Sequence, residues 1–421
     1  MDVKKIKKDG FNLHLIHNNC FKTIYINCTF ASIIDEKDIT YISLLFKNLL
    51  FSTKKYNSPR KIAIKKDDLY GLNISHHKIR KSKYFINELC LSFPMDKYTE
   101  DGLLKDSIEF LLEILKNPNV ENNKFDEEIF SITKNMLSEE IKSEMEASSS
   151  FAIKNYFNIL NSSNPYNYSL YGKLDILDKI TNSDLYDFYK KYFSSCSIDI
   201  MVNGDIDYNE INNLFDDFPF KGINIYDEDL YLDYSKSYTL NIIKSDYNQS
   251  NLIMGASCKN LDLYEKKYVS IFYNIIFGNS PSSKLFLNVR EKKSLCYSIN
   301  SVFNRLDGLF LIYAGISKDN FKLTIDEINR NINEMKKGEF NEEDLDDARV
   351  FIKSVIDESF DYQSSICERY FNNLYFDLDD KDKQLEMVDR VSKEDIINLA
   401  KKINIDTILL VEEKYEENKN K

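Results

Sequence analysis

The chain has 421 residues, of which 43% are hydrophobic, so it is long enough for two or more domains and can bury substantial cores. Its formal net charge of −12 excludes a broadly basic surface of the kind that neutralises nucleic-acid phosphates, and it disfavours anionic membranes. No segment approaches the roughly 20 consecutive apolar residues that span a bilayer. We therefore expect a soluble globular protein without nucleic-acid or membrane partners.

The cysteine pattern indicates a reducing compartment. The seven cysteines are odd in number, are scattered and never form a C-x-x-C pair, which is typical of mostly buried, reduced thiols. They are Cys20, Cys28, Cys90, Cys196, Cys258, Cys296 and Cys367. The first residues contain lysines but no apolar run long enough for a signal peptide. These features predict a cytoplasmic protein, and the frequent Asn, Lys, Ile and Tyr residues are typical of an AT-rich bacterial genome.

In chain order, the elements come in blocks of one type. The alternating segments "FNLHLIH" and "TIYINCTF" predict strands, and the apolar stretch "SLLFKNLLFSTKKY" (Ser43 to Tyr56) predicts a buried helix. A further strand, "YFINELCLSF", is followed by two helices, "GLLKDSIEFLLEILKN" and "FDEEIFSITKNMLSEEIKSEMEA". Blocks of strands and helices, rather than strict alternation, favour an α+β fold.

The second half of the chain repeats the first. Residues 174–207 and 385–414 share an L-[DE]-x-[LV]-D-[KR]-[IV] segment that leads to Thr181 or Ser392, each a predicted helix N-cap. A helix ending in Lys-Lys and a β-branched strand follow in both copies. Residues 26–52 and 251–280 match similarly, since each has a strand ending in Ala-Ser, an acidic turn and an apolar helix. The sequence thus predicts two homologous domains, 1–220 and 237–421, joined by a linker at 221–236.

The four histidines do not predict a metal site. His14 and His17 lie at odd spacing on a predicted strand, and His76 and His77 are adjacent, so in each pair the side chains point to opposite faces. Zinc requires ligands that converge at about 2.0–2.3 Å. The sequence also contains no Gly-rich phosphate loop, EF-hand or Cys/His nucleophile pair. A metal cofactor is therefore not expected in this chain.

The helix at Ser43 to Tyr56 has the spacing of a metal site but not its residues. Leu44 and Asn48 share one helix face with Lys47, where a helical zinc site has two histidines one turn apart and a carboxylate base between them. None of the three residues suits zinc chemistry. By itself, this stretch predicts a core helix.

This helix and the segments that follow it resemble the pitrilysin/insulinase-type zinc metallopeptidases, the inverzincins. In that family the helix reads H-x-x-E-H, and the overlay puts the two histidines on Leu44 and Asn48 and the glutamate on Lys47. The family's third zinc ligand, a Glu, falls near Ser131, with Glu127 and Glu128 close by. The resemblance implies two tandem domains, each a mostly antiparallel sheet packed with helices, as in the mitochondrial processing peptidase. Together they would form half of a clamshell with a degenerate zinc motif.

The most specific part of the resemblance is "FGNSPSSKLFLNVREKKSLCYSINS" at residues 277–301. Active family members carry here an Arg and a Tyr seven residues apart, which bind the substrate main chain and stabilise the developing oxyanion. The matching residues are Arg290 and Tyr297, and the loop of Gly278 and Ser280 is expected to contact peptide. Read without the resemblance, the same residues fit a charged helix end, a strand tyrosine and a helix-entry loop.

The resemblance implies a non-catalytic, substrate-binding subunit of a heterodimeric zinc metallopeptidase. Its partner would be a homologous subunit that carries H-x-x-E-H and the zinc, and its substrate a peptide or small protein. Paired bacterial members of this branch are associated with peptide maturation or with modification of elongation factor P. The alternative is a peptide-binding or scaffold protein without a proteolytic role. An enzyme with relocated chemistry has the least support, because no other cluster of titratable groups stands out.

Overall fold

The computed structural model describes residues 2–160, 168–232 and 237–414. The strands are β1 (Asp2–Lys7), β2 (Asn12–His17), β3 (Thr23–Ile33), β4 (Asn73–Lys81), β5 (Tyr84–Pro94), β6 (Val120–Glu121), β7 (Lys124–Phe125), β8 (Ser197–Gly204), β9 (Thr239–Lys244), β10 (Ser250–Ser257), β11 (Cys296–Asn304), β12 (Leu309–Ile316) and β13 (Thr407–Glu412).

The helices are α1 (Glu36–Phe51), α2 (Pro59–Asp68), α3 (Leu103–Lys116), α4 (Glu127–Glu146), α5 (Ser148–Leu160), α6 (Leu174–Leu177), α7 (Asn182–Tyr192), α8 (Tyr208–Leu214), α9 (Ser270–Phe277), α10 (Phe321–Lys337), α11 (Glu342–Glu358), α12 (Gln363–Tyr375), α13 (Lys381–Arg390) and α14 (Lys393–Lys402). Two π-helical segments occupy Glu265–Val269 and Phe286–Lys292. Within the described residues, every helix is too short or too polar to cross a membrane.

The chain forms two compact units of the same design. Unit 1 consists of Met1–Ser143, Tyr168–Glu228 and Phe360–Tyr375, and unit 2 of Glu144–Asn167, Asp229–Ser359 and Phe376–Lys421. The sheet of unit 1 has the strand order β1-β2-β8-β3-β5-β4, and that of unit 2 has β11-β12-β10-β13-β9. The predicted fold, two α+β domains with mostly antiparallel sheets, is confirmed: β2–β8 and β9–β13 are the parallel pairs of these two sheets.

Most of unit 1 precedes the predicted linker 221–236 and most of unit 2 follows it, but each half of the chain places one helix in the other unit. Helix α5, from the first half, packs on β10 and β13 of unit 2, and α12, from the second half, packs on β3 and β8 of unit 1. Of the predicted linker, residues 233–236 lie outside the described part.

Local sequence signals set the ends of the repeated helices. Thr181 and Ser392, predicted as N-caps, each accept a hydrogen bond from the backbone N–H three residues on. The carboxylates of Asp184 and Asp395 in turn accept a hydrogen bond from the backbone N–H of the cap residue, which completes a capping box in both copies. The two predicted N-caps are therefore confirmed. At α1, Asp35 is the N-cap and accepts from two backbone N–H groups of the first turn.

Candidate functional site

The degenerate metal-motif face of α1 is closed by contacts within unit 1. Leu44 is fully buried in the core. The Asn48 side-chain Nδ2 lies 2.6 Å from the Thr133 hydroxyl oxygen on α4 and also donates to the Leu44 carbonyl, at 3.0 Å. The Lys47 ammonium forms an ion pair with Glu140 of the same helix, at 2.5 Å. Helix α4 thus supplies partners to two of the three motif positions.

The structure also defines which residues of α4 face the motif. Thr133 is buried and Glu140 is half-buried against α1, whereas Ser131, the position given by the sequence overlay, is exposed. Glu127 accepts a hydrogen bond from Asn182 on α7. One carboxylate, Glu140, therefore remains beside the motif face, and its charge is balanced by Lys47.

These residues do not fit zinc. A catalytic zinc requires three protein ligands drawn from imidazole, thiolate and carboxylate groups, and this face offers an alkyl chain, an ammonium group and an amide. The described residues also contain no cluster of three His, Cys, Asp or Glu side chains arranged to hold a metal ion. This face of α1 therefore offers no ligand set for zinc.

Two neighbouring histidines fill different structural roles, as their spacing predicts. The His76 ring stacks on Phe46 of α1 with centroids 4.2 Å apart, and its Nε2 lies 3.1 Å from Asn87 Oδ1. Loss of hydration, with a further contribution from Lys78, lowers the pKa of His76 to about 3. His77 is exposed and contacts Ser75. His76 is thus a neutral residue that packs against α1, the helix of the degenerate metal motif.

In unit 2, Arg290 and Tyr297 are brought together at the surface. The π-helical segment ends at Lys292, and the chain reverses through Ser294, which has a positive φ of 51°, into β11. The Arg290 Nε donates to the Tyr297 carbonyl at 3.1 Å, and its guanidinium carbon lies 4.6 Å from the centre of the Phe286 ring. Tyr297 is 66% exposed. The Arg290 guanidinium, which also lies 3.6 Å from the Glu291 carboxylate, is thus held beside the Tyr297 backbone, and the Tyr297 side chain is accessible.

The structure gives Gly278 and Ser280 packing roles. A Cβ on Gly278 would come within 2.4 Å of the Ser301 hydroxyl on β11, so a larger residue would separate the loop from the sheet. The Gly278 carbonyl also accepts from the Ser301 backbone N–H. The Ser280 hydroxyl donates to the Ile275 carbonyl near the end of α9. The hydrogen bonds of these residues therefore join them to α9, to β11 and to Ser282 of the same loop.

A cavity of about 540 Å³ lies beside the loop that contains Ser280. It is bounded by α9, by the π-helical segment Phe286–Lys292 and by the start of α11. Its apolar lining includes Ile275, Leu287 and Phe351, while Lys292 and Asp347 contribute opposite charges. Ser280 is among its lining residues, and Arg290 and Tyr297 are not. The loop and the Arg/Tyr pair therefore face different spaces.

Sequence reasoning missed a buried polar network beneath α12 in unit 1. His14 Nε2 lies 2.8 Å from the Asp199 Oδ1, and both side chains are fully buried. The same oxygen accepts from the Tyr375 hydroxyl at 2.7 Å and from Asn12, and His14 Nδ1 contacts the Tyr370 hydroxyl at 3.2 Å. The available signal was the repeat of "KNYFNIL" (154–160) in "ERYFNNL" (368–374), which marks α5 and α12 as equivalent helices.

Comparison with known sequences agrees with this geometry. Residues 179–350 match the family model described as "Peptidase M16 inactive domain". A Bacillus subtilis protein named "Probable inactive metalloprotease YmfF" is 26% identical over 411 residues, covering 96% of each chain. An "Uncharacterized zinc protease" of Rickettsia felis is 21% identical over 412 residues, covering 94% of this chain and 95% of the relative.

Solved structures show the same fold. A conserved protein from Enterococcus faecalis superimposes with a TM-score of 0.92 at 22% identity, covering 99% of this chain and all of that chain. A peptidase M16 inactive domain from Pseudomonas fluorescens has a TM-score of 0.79 at 14% identity, with 99% of both chains covered. The family match over residues 179–350 and the curated relatives agree with the resemblance to the M16 (pitrilysin/insulinase-type) peptidases, the solved structures share the fold, and this sequence lacks the H-x-x-E-H motif.

Proposed function

We propose that this chain is the non-catalytic, substrate-binding subunit of a heterodimeric zinc metallopeptidase. In this proposal, a homologous partner carries H-x-x-E-H and the zinc, and this chain contributes Arg290 and Tyr297 to the binding of a peptide substrate. The relative from Bacillus subtilis, which its name describes as inactive, is consistent with the loss of catalysis in this branch.

The observation that carries the proposal is a difference in accessibility between the metal-motif positions on α1 and the Arg290/Tyr297 pair. Among the metal-motif residues, Leu44 is buried, Lys47 pairs with Glu140 and the Asn48 amide nitrogen lies against Thr133, while the Asn48 Oδ1 is buried without a hydrogen-bond partner among the described residues. Arg290 and Tyr297 instead remain accessible and adjacent.

The chemistry of this pair suits a peptide carbonyl. A guanidinium group and a phenol are strong donors, and donors held in position stabilise negative charge on a carbonyl oxygen without reorganising. The Nε contact to the Tyr297 carbonyl and the stacking on Phe286 fix the orientation of Arg290. The pair would therefore bind a substrate main chain, and its effect on rate would depend on the partner's active site.

The test is reconstitution with a homologue that carries H-x-x-E-H. Each chain and their mixture are purified, the zinc content is measured, and cleavage of a peptide library is followed by mass spectrometry. We expect zinc only in the homologue and cleavage only, or at least 10-fold faster, in the mixture. Stable peptide binding to this chain with no cleavage in any mixture would overturn the proposal and indicate a scaffold role.

The Arg/Tyr role is tested in the active mixture. Arg290→Ala should lower turnover by about 10²–10³-fold, because one donor to the oxyanion is lost, and Tyr297→Phe should lower it by a smaller factor. Arg390→Ala and Tyr98→Phe remove an exposed arginine and an exposed tyrosine elsewhere and should leave turnover unchanged. Zinc content and complex formation should be equal in all four variants. Full activity of Arg290→Ala would exclude the assigned role.

A further inference from the structure

The two sheets have four edges, and three of them carry features that prevent pairing with another chain. Edge strands expose unpaired backbone groups, and proteins protect them with charged side chains, bulges or covering elements. Strand β1 carries Lys4, Lys5 and Lys7, and β4 carries Lys78, Arg80 and Lys81. Strand β11 has a register irregularity between Cys296 and Ser298.

The fourth edge, β9, lacks these features. Its sequence is TLNIIK, with one charge, Lys244, at its end. Leu240 is 49% exposed and Ile242 is 52% exposed, and both lie on the same face of the strand. Within the described residues, no strand pairs with the outer side of β9. This edge therefore combines apolar side chains with an unprotected backbone.

Unit 1 shows how the same position is completed. Strand β2 occupies the place in unit 1 that β9 occupies in unit 2, next to the parallel neighbour β8 or β13. In unit 1, β1 pairs antiparallel with β2 over its six residues Asp2–Lys7, and four of the six residues of β2 are buried. None of the six residues of β9 is buried. Among the described residues, unit 2 therefore has the position for an antiparallel strand and no strand that fills it.

The backbone of β9 presents the groups that such a strand needs. The Thr239 N–H donates to the Asp406 carbonyl at 2.8 Å and the Ser245 N–H donates to the Glu412 carbonyl at 3.0 Å. Since backbone groups alternate in direction along a strand, those of Leu240, Ile242 and Lys244 point away from β13. These three residues offer donors and acceptors to a further strand.

We propose that β9 pairs antiparallel with β9 of a second copy of this chain, which joins two five-stranded sheets across a two-fold axis. With Ile242 opposite its own copy on the axis, Lys244 faces Leu240 and the two lysines do not oppose each other. Three outward residues per copy would form about six backbone hydrogen bonds, and the exposed leucine and isoleucine side chains would cover one another. This contact goes beyond the proposed peptidase role and does not depend on it.

Sedimentation analysis of the purified chain tests the association. We expect a concentration-dependent dimer, and Ile242→Pro should raise its dissociation constant by about 100-fold, because it removes one outward N–H per copy and the isoleucine contact while leaving the bonds to β13 intact. Ile242→Lys should act similarly and serves if the proline variant does not fold. Ile64→Lys, at a residue that is 49% exposed on α2, is the matched control. A wild-type chain that remains monomeric at 100 µM would overturn the proposal.

Disulfide trapping tests the register. Cys20 is the exposed cysteine and the other six are buried, so Cys20→Ser gives a suitable background. Directly paired strand residues have Cα atoms about 4.5–5.5 Å apart, within the range of a disulfide. Under mild oxidation Ile242→Cys should give a covalent dimer and Ile64→Cys should not. Equal trapping of both variants, or trapping of Ile242→Cys only by an added homologue or another protein, would overturn pairing between copies.

Discussion

Helices α5 and α12 occupy equivalent places in the two units but are held by different forces. Helix α5 lies on an apolar face of the unit 2 sheet, where Tyr156 and Phe157 pack among branched aliphatic residues. Those sheet residues are Ile253, Leu309, Leu311, Leu409 and Val411. Helix α12 lies on a polar face of the unit 1 sheet, and its partners there include His14 and Asp199.

This difference determines how precisely each interface fixes the position of its helix. Apolar packing tolerates small shifts, because dispersion and hydrophobic contacts have no fixed direction. Hydrogen bonds between buried side chains do have direction, and an unmet donor or acceptor is costly, so the α12 interface allows one register. Gln363 illustrates this: its Nε2 donates to the carbonyls of Thr23 and Asn203, at 3.0 and 2.9 Å. Polar contacts thus add direction to the packing of α12, whose Ile366, Cys367 and Phe371 are also buried, whereas α5 is placed by apolar packing.

The largest expected effect comes from breaking the polar interface at Asp199. Asp199→Ala leaves the buried His14 and the half-buried Asn12 and Tyr375 without their common acceptor, and should lower the free energy of unfolding by about 3–5 kcal/mol. Urea denaturation measures the loss. Asp205→Ala, which removes a surface pair with Lys97 just beyond the same strand, should cost at most about 1 kcal/mol. Equal losses in the two variants would contradict the role of the network.

The apolar interface between α5 and the unit 2 sheet should instead be destabilised by added side-chain volume. At Gly255 of β10, a Cβ would lie 1.7 Å from the Tyr156 hydroxyl oxygen and 2.9 Å from Leu311, so α5 can approach the sheet only because this residue is glycine. We expect Gly255→Ala to lower the free energy of unfolding by about 1–3 kcal/mol. Combining it with Tyr156→Phe, which removes the nearest atom, should recover part of the loss. A neutral Gly255→Ala variant would show that α5 adapts to the added volume.

Unit 1 should also show the stronger dependence on pH, because it keeps His76 neutral. The unfolded histidine gains a proton near pH 6.5, while the folded residue, with a pKa of about 3, does not. Between these values the unfolded state binds more protons, so stability falls as the pH decreases from 7 to 5, by up to about 2 kcal/mol. His76→Phe should reduce this slope, and His77→Phe, at the exposed neighbour, should retain it. Thermal unfolding at several pH values measures both.

The smallest expected change in the free energy of unfolding comes from removing the hydroxyl groups of Tyr156 on α5 and Tyr370 on α12, which occupy matching positions. The Tyr370 hydroxyl contacts His14, whereas the Tyr156 hydroxyl is buried with no hydrogen-bond partner among the described residues. Tyr370→Phe should therefore cost about 1 kcal/mol, and Tyr156→Phe should be neutral or slightly stabilising. The two values come from the same denaturation experiment. A larger loss for Tyr156→Phe would show that unit 2 also depends on a polar contact at this helix.

Much of the fold could be predicted from short stretches of sequence. The caps at Thr181 and Ser392, the strands around His14 and the core helix at Leu44 all follow from patterns within about ten residues, and the family resemblance supplied the two-domain architecture. The partners of the degenerate motif could not be predicted. Thr133 and Glu140 face α1 because of the way α4 packs, and the overlay pointed to the exposed Ser131 instead.

The sequence by itself determined that Leu44, Lys47 and Asn48 carry none of the imidazole, thiolate or carboxylate groups that zinc takes in proteins. It also determined the repeat, since the same local patterns occur twice. Only the tertiary structure decided that α5 and α12 belong to different units, that His14 contacts Asp199, 185 residues away, and that β9 has no outer neighbour among the described strands. Propensities and caps act over a few residues, whereas these contacts depend on how distant surfaces fit together.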